Sequence, residues 1–253
     1  MKEEEQELEL EEELELEEEP ELEEELALKI QITEEFEPFL EPHRMKIVYG
    51  GRGAGKSWQI AQLLIMRAYK EKTRILCARE IQKSINDSVL QLLADTIDRM
   101  GLSPFFEVQT TQILGRNGSR FIFAGLKSNI TKIKSMEGIN IVWCEESECL
   151  SQKSLQTLIP TIRAPGSELW FSFNPNSELD PLYQLVLNPP PDSYIVKVNW
   201  SDNVWFPEVL NKERLHLQKI DKDLYEHIWE GECLTNQKGA YYAKQIELAR
   251  QDD

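Results

Sequence analysis

Cysteine is scarce in this sequence. Four are scattered through 253 residues (Cys77, Cys144, Cys149 and Cys233), and no two form a CxxC pair. That argues against a disulfide framework and a zinc site, and it fits a reducing compartment. Long apolar runs are also missing. None approaches the roughly 18 residues that a membrane-spanning helix needs, so no membrane partner is expected. The N-terminus is acidic rather than basic with an apolar stretch behind it, so no secretory signal is expected. Basic charge is outnumbered, with 28 Lys and Arg against 45 Asp and Glu, a net of −17. The deficit is local. Sixteen Glu and one Lys give residues 1–26 a net of −15, so only −2 of the −17 falls on the remaining 227 residues. A whole-chain acidity that would argue against a nucleic-acid partner therefore belongs to a tail, and the nearly neutral body neither supports nor excludes one.

Residues 1–28 form that Glu-rich, low-complexity tail. Its like charges repel and its apolar content is too low to pack alone, although Glu and Leu favour transient helix before Pro20. A solvated tail and a partner-binding or DNA-mimicking arm are both open readings. The body, 29–236, is 41% hydrophobic when averaged with the tail, and is long enough to bury a sizeable core. It alternates strand and helix patterns. Strands are expected at 46–50, 73–78, 106–111, 120–124, 140–144, 169–173 and 194–199. Helices are expected at 56–70, 82–100, 151–158 (capped by Ser151), 207–220 and 224–229. Several strands are apolar throughout, which predicts an α/β fold with a mostly parallel sheet covered by helices on both faces. Residues 237–253 read as the start of a linker.

Residues 50–57 read Gly50-Gly51-Arg52-Gly53-Ala54-Gly55-Lys56-Ser57 and fit G-x-x-x-x-G-K-[ST]. A short apolar strand leads in and a helical pattern follows, which is the context this phosphate-binding loop requires. Its glycines let successive N–H groups point at phosphate oxygens, and the helix adds its positive end. Lys56 can reach the β and γ phosphates, and the Ser57 hydroxyl can ligate Mg2+. Arg52 is placed to stabilise transition-state charge from the same chain, or to be an ordinary surface arginine.

The apolar strand 141–144 ends in Glu145 and Glu146. In open α/β sheets ligands sit at that end. Glu145 would hold Mg2+ through water and Glu146 would act as general base, the other reading being two acids at a helix N-terminus. The 89 residues from Lys56 to Glu145 leave room for the strands at 73–78 and 120–124. That suits the P-loop NTPase subclass with an additional strand and a catalytic glutamate. A third apolar strand, 169–173, ends beside Ser172 and Asn174. These could contact the γ-phosphate or the attacking water, or could mark only a turn at Asn-Pro-Asn.

Six segments together resemble the ATPase half of phage terminase large subunits, over roughly 30–242. They are YGGRGAGKSW (49–58), CAREIQKSINDSV (77–89), IKSMEGINIVWCEESE (133–148), LIPTIRAPGSELWFSFNPNSELDP (158–181), VNWSDN (198–203) and HIWEGE (227–232). The resemblance implies an ATP-hydrolysing, Mg2+-dependent motor that moves double-stranded DNA into a procapsid. Its implied partners are the portal, the small terminase subunit and other copies in a ring, and its implied location is the host cytoplasm. It matches Ser172 and Asn174 to a motif coupling hydrolysis to DNA movement. It places adenine contacts just before the first strand, where Gln31, Phe36, Phe39 and Arg44 are candidates by location. A ring would use an arginine from a neighbour, with Arg116, Arg120 and Arg163 unranked, and Lys127, Lys132 and Lys134 are open to contact with DNA, contact with a neighbouring subunit, or a role as ordinary loop lysines. The family's nuclease domain is not recognised in this sequence, so no DNA cleavage is expected from it. A helicase-type ATPase and an ATP-holding module without turnover are the competing expectations.

Overall fold

A computed structural model describes residues 30–81, 86–127, 133 and 136–234. Among these residues eight strands form one sheet: β1 (Met45–Tyr49), β2 (Arg74–Arg79), β3 (Phe106–Val108), β4 (Gln112–Gly115), β5 (Arg120–Gly125), β6 (Ile141–Glu145), β7 (Glu168–Phe173) and β8 (Ser193–Lys197). Their order is β3-β4-β5-β2-β6-β7-β1-β8. Strands β5, β2, β6, β7, β1 and β8 run parallel, and β3 and β4 add an antiparallel edge. The helices are α1 (Lys56–Lys70), α2 (Gln91–Arg99), α3 (Gln152–Thr161), α4 (Pro181–Leu187), α5 (Glu208–Ile220) and α6 (Lys222–Glu230).

The central strands read as unbroken apolar runs because both faces are covered. Side chains alternate across a strand. In β2, Ile75 and Cys77 join the core under α1 and α2, while Leu76 and Ala78 join the core under α3 and α4. In β6, Ile141 and Trp143 take the first face and Val142 and Cys144 the second. Helix α1 buries Ile60, Leu63, Leu64 and Ala68, the i, i+3, i+4 stripe expected of a helix on a sheet. Ser151 does cap α3, its side chain accepting from the Ser154 N–H at 3.2 Å.

Two expectations change, and the sheet adds a strand order that the sequence did not give. The strand at 106–111 is shorter: it stops at Val108 as the edge strand β3 and turns back as β4, a four-residue strand with one buried residue, Ile113. The short helix α4 is additional; Pro181 opens it, and its single buried residue, Leu182, gives no visible period. The strands that intervene in sequence between the loop and the acids, β2 and β5, lie beyond β6. The strand between them in space is β7, which comes later in the chain.

Candidate functional site at the carboxyl ends of the parallel strands

Strand register assembles this site. Tyr49 pairs with Phe173, so the loop after β1 starts beside the end of β7. Glu145 pairs with Ser172, which sets the acids of β6 on the other side of β7. Ala78 pairs with Cys144, which brings Arg79 alongside Glu145. Four parallel strands thus deliver their last residues to one place.

The loop 50–55 bends where only glycine fits. A Cβ on Gly51 would lie 1.9 Å from the Trp229 carbonyl oxygen, and Gly53, at φ +79°, would meet the Phe206 ring at 2.3 Å. The outer half of the loop is bonded to the protein. The Gly50 N–H donates to Phe173 O at 3.3 Å and the Arg52 N–H to Ile228 O at 2.7 Å. The Gly51 N–H donates to Asn199 Oδ1 at 2.9 Å, and Asn203 Nδ2 donates to Gly53 O at 2.6 Å. The N–H groups of Gly53 through Ser57 precede the first helical bond of α1, from Gln59 N–H to Gly55 O, and have no protein partner among the described residues.

Lys56 is buried and turned back onto its own loop. Its Nζ donates to Gly50 O (3.0 Å), Gly51 O (2.7 Å) and Asn174 Oδ1 (2.7 Å). Burial pulls its ammonium down to about 7. The charges of Glu148 and Glu145 oppose that fall, and Arg52 adds to it. Ser57 Oγ donates to Glu145 Oε1 at 3.0 Å, so the loop and the acidic strand meet directly. Arg79, itself buried, ion-pairs with Glu145 Oε2 and, at 2.9 Å, with Glu146 Oε2. Burial pushes the Glu145 carboxyl up; Arg79 opposes this, Glu146 reinforces it, and bonds from Ser57 and Arg79 oppose it.

Glu146 sits in the left-handed backbone region, φ 50° and ψ 48°, which costs a non-glycine residue on the order of 1–3 kcal/mol and persists where surroundings enforce it. Its side chain is 57% exposed, against 13% for Glu145, so the two acids differ in access to water. Ser172 is buried. Its Oγ accepts from Trp143 Nε1 at 3.0 Å and its carbonyl from Ser147 Oγ at 3.1 Å.

A cavity of about 780 Å3 spans these groups, from Lys56, Glu145, Glu146, Glu148, Ser172 and Asn174 out to Gln31, Trp58, Arg99 and Trp205. Arg52 lines it from an exposed position. The cavity therefore brings together the loop from Arg52 to Ser57, both acids, Ser172 and Asn174, and Gly50 and Gly51 meet the site through their bonds from Lys56 Nζ. Of the four candidates ahead of β1, Gln31 lines the cavity. Phe36 and Phe39 are core residues, and Arg44 is at the opposite end of β1, bonded to carbonyls of Ile159, Ile162 and Ser167. Arg116, Arg120 and Arg163 belong to the amino end of the sheet, and Lys127 is exposed just past β5. Lys132 and Lys134 fall outside the described residues.

Sequence reasoning missed Arg79, Glu148, Asn199 and Asn203. Arg79 carries the signal that marked Glu145, a charge ending an apolar strand. Glu148 follows the acid pair by two residues. Burial pushes its carboxyl up to about 7, Glu146 and Glu145 add to this, and a bond to its own backbone and Lys56 oppose it. Its Oε2 is buried without a hydrogen-bond partner among the described residues.

A glycine loop joining a strand to a helix, with free amides, an inward lysine and a serine bonded to an acid two strands away, defines a P-loop nucleoside-triphosphatase fold of the additional-strand type. The sequence profile described as phage terminase large subunit matches residues 42–232. The chain belongs to that family. It is 26% identical over 227 residues to the PBSX phage terminase large subunit of Bacillus subtilis, covering 77% of this chain and 52% of that protein. The chain thus spans about half the length of this curated relative. Its fold is similar to the large terminase of a thermophilic bacteriophage in complex with ATP-gamma-S, at TM-score 0.61 and 14% identity, over 80% of this chain and 53% of that one. It is similar too to the ATPase domain of the Thermus phage P74-26 large terminase, at TM-score 0.62 and 13% identity, over 81% of this chain and 94% of that one.

Proposed function

We propose that this chain is the ATP-hydrolysing motor portion of a terminase large subunit, driving double-stranded DNA into a procapsid in the host cytoplasm. The observation that carries the reading is the 3.0 Å bond between Ser57 Oγ and Glu145 Oε1: phosphate loop and acids share one site. The ATP-gamma-S held by the thermophilic phage's large terminase supports ATP as the substrate.

The free amides of 53–57 and the N-terminus of α1 receive the β and γ phosphates. Lys56 exchanges its loop carbonyls for phosphate oxygens. Ser57 and Glu145 offer adjacent hard oxygen donors and would hold Mg2+. When bound, the ion neutralises phosphate charge. Glu146, the solvent-reached acid, accepts the proton of a water attacking the γ-phosphorus in line, and the bond to the β–γ bridging oxygen breaks to leave ADP and phosphate. Arg52 approaches the γ-phosphate from the rim. As Lys56 turns to phosphate, Asn174 loses its bond to Nζ, so the end of β7 registers occupancy. Ser172 ties that strand to Trp143 and Ser147 and carries the change inward. Packaging must tolerate any sequence, so DNA is gripped by its phosphates, within a ring of copies docked on the portal and supplied by the small subunit.

Phosphate release by the chain with Mg2+-ATP and double-stranded DNA, compared with Glu146→Gln, tests this. The variant should bind ATP normally and lose on the order of 10²–10⁴-fold in rate. An unchanged rate would remove Glu146 as the base. Tight ATP binding without phosphate release by the unaltered chain would favour the ATP-holding module.

A further inference from the structure

The cavity is longer than its phosphate-binding end requires. Its outer part is lined by Trp58, Gln31, Gln62, Arg99, Trp205 and Leu210. Trp58 immediately follows Ser57, so its indole lies within a nucleotide's length of the loop amides. The residue is 39% exposed, although it stands in the first turn of a helix packed on a sheet. The Arg99 guanidinium, from the last turn of α2, is 3.3 Å from the Trp58 ring centroid. A cation on one face of an indole is favourable and leaves the other face available. Trp205, 49% exposed, comes from the segment after β8 and lines the same cavity.

Polar groups at this end are also in place. Gln62, one turn beyond Trp58 on the same face of α1, spends its side chain on the Gln31 backbone: it accepts from the N–H at 3.5 Å and donates to the carbonyl at 3.4 Å. This holds Gln31 at the cavity, while the Gln31 side-chain amide has no protein partner among the described residues.

We propose that Trp58, backed by Arg99, is the platform on which the purine ring of the nucleotide stacks, with Trp205 as a second apolar wall and the Gln31 amide at the ring edge. The inference rests on the proposed function, since the phosphates must occupy the loop for a base to reach Trp58. It replaces the aromatic candidates ahead of β1, Phe36 and Phe39, whose rings are spent in the core.

The test is calorimetric binding of ATP and of inorganic tripolyphosphate, each with Mg2+, to the full chain. Tripolyphosphate reads the loop alone, and ATP reads loop plus base. Trp58→Ala should weaken ATP about tenfold or more, the loss expected when one aromatic–base stack is removed, and leave tripolyphosphate binding unchanged. Trp58→Phe should restore most of the loss, and Arg99→Ala should weaken ATP by a smaller factor. The inference is overturned if Trp58→Ala weakens both ligands equally, which would make Trp58 a support of the loop, or if it weakens neither. Unaltered protein that binds neither ligand would contradict the proposed function as well.

Discussion

Two lysines are buried among the described residues, Lys46 on β1 and Lys56 at the start of α1, and they are held in opposite ways. Lys46 is paired with Glu168 at 2.6 Å, donates to Phe39 O at 2.8 Å and lies 4.9 Å from the Trp170 ring centroid. Glu168 in turn accepts from Trp170 Nε1 at 2.7 Å. Two of these partners, Glu168 and Trp170, stand on β7 and the third, Phe39, is a core residue of the short helical segment before β1. Lys56 has no counter-ion in contact among the described residues. Its partners are two carbonyls of a glycine loop and the amide side chain of Asn174, which lines the cavity with Lys56 itself. A charge satisfied by fixed groups fastens a fold. A charge satisfied by replaceable dipoles is available to a ligand that offers more.

The same contrast separates the ends of the sheet. At the amino end, the Arg44 guanidinium has four acceptors, the carbonyls of Ile159, Ile162 and Ser167 and the Ser167 hydroxyl. At the carboxyl end, Arg79 Nε and Glu148 Oε2 are buried without hydrogen-bond partners among the described residues, and Glu146 holds a strained backbone. Unsatisfied polar groups are costly unless something external completes them.

The contrast can be broken deliberately. Lys56→Met should reduce ATP turnover by at least about 10²-fold, as expected when a preorganised charge on the transferring phosphate is removed. It should move the melting temperature little, because it leaves no buried counter-ion unpaired. Lys46→Met should do the reverse. Leaving Glu168 charged and buried costs on the order of 3–5 kcal/mol, read as a lower urea midpoint, while ATP affinity of the remaining folded protein holds. If both variants lose stability alike, the two lysines do not differ in kind.

A smaller effect sharpens the acidic side. A carboxyl whose folded pKa lies above its unfolded value binds a proton on folding, so its contribution to stability is present at low pH and is lost as pH rises. For Glu148 that window runs from 4.5 to about 7. Glu148→Gln should therefore gain melting temperature relative to the unaltered chain progressively across that window, and no further above it. A constant difference at every pH would show that Glu148 does not titrate there.

Much of this was legible from single residues. The stripe Ile60, Leu63, Leu64, Ala68 marked α1 from Lys56 to Lys70, and the apolar run ending in two acids located β6. Strand β4 was not legible, because one buried residue sets no period. Strand order was not legible either. Chain spacing left room for β2 and β5 between loop and acids in sequence, and they are there, but it carries no information on place in the sheet, where β7 lies between β1 and β6. The partnering of Arg79 with both acids depends on β2 lying next to β6, a long-range pairing that no local pattern encodes. The side chains that bond Gly51 and Gly53, Asn199 and Asn203, come from about 150 residues away for the same reason.

The most direct examination is a crystal structure of Glu146→Gln grown with ATP and manganese in place of magnesium, with anomalous scattering locating the metal. The account predicts a manganese peak contacted by the Ser57 hydroxyl and lying beside Glu145, with Lys56 Nζ moved from the Gly50 and Gly51 carbonyls onto phosphate oxygens. A triphosphate bound elsewhere, or Lys56 still folded back on its loop with nucleotide present, would contradict it.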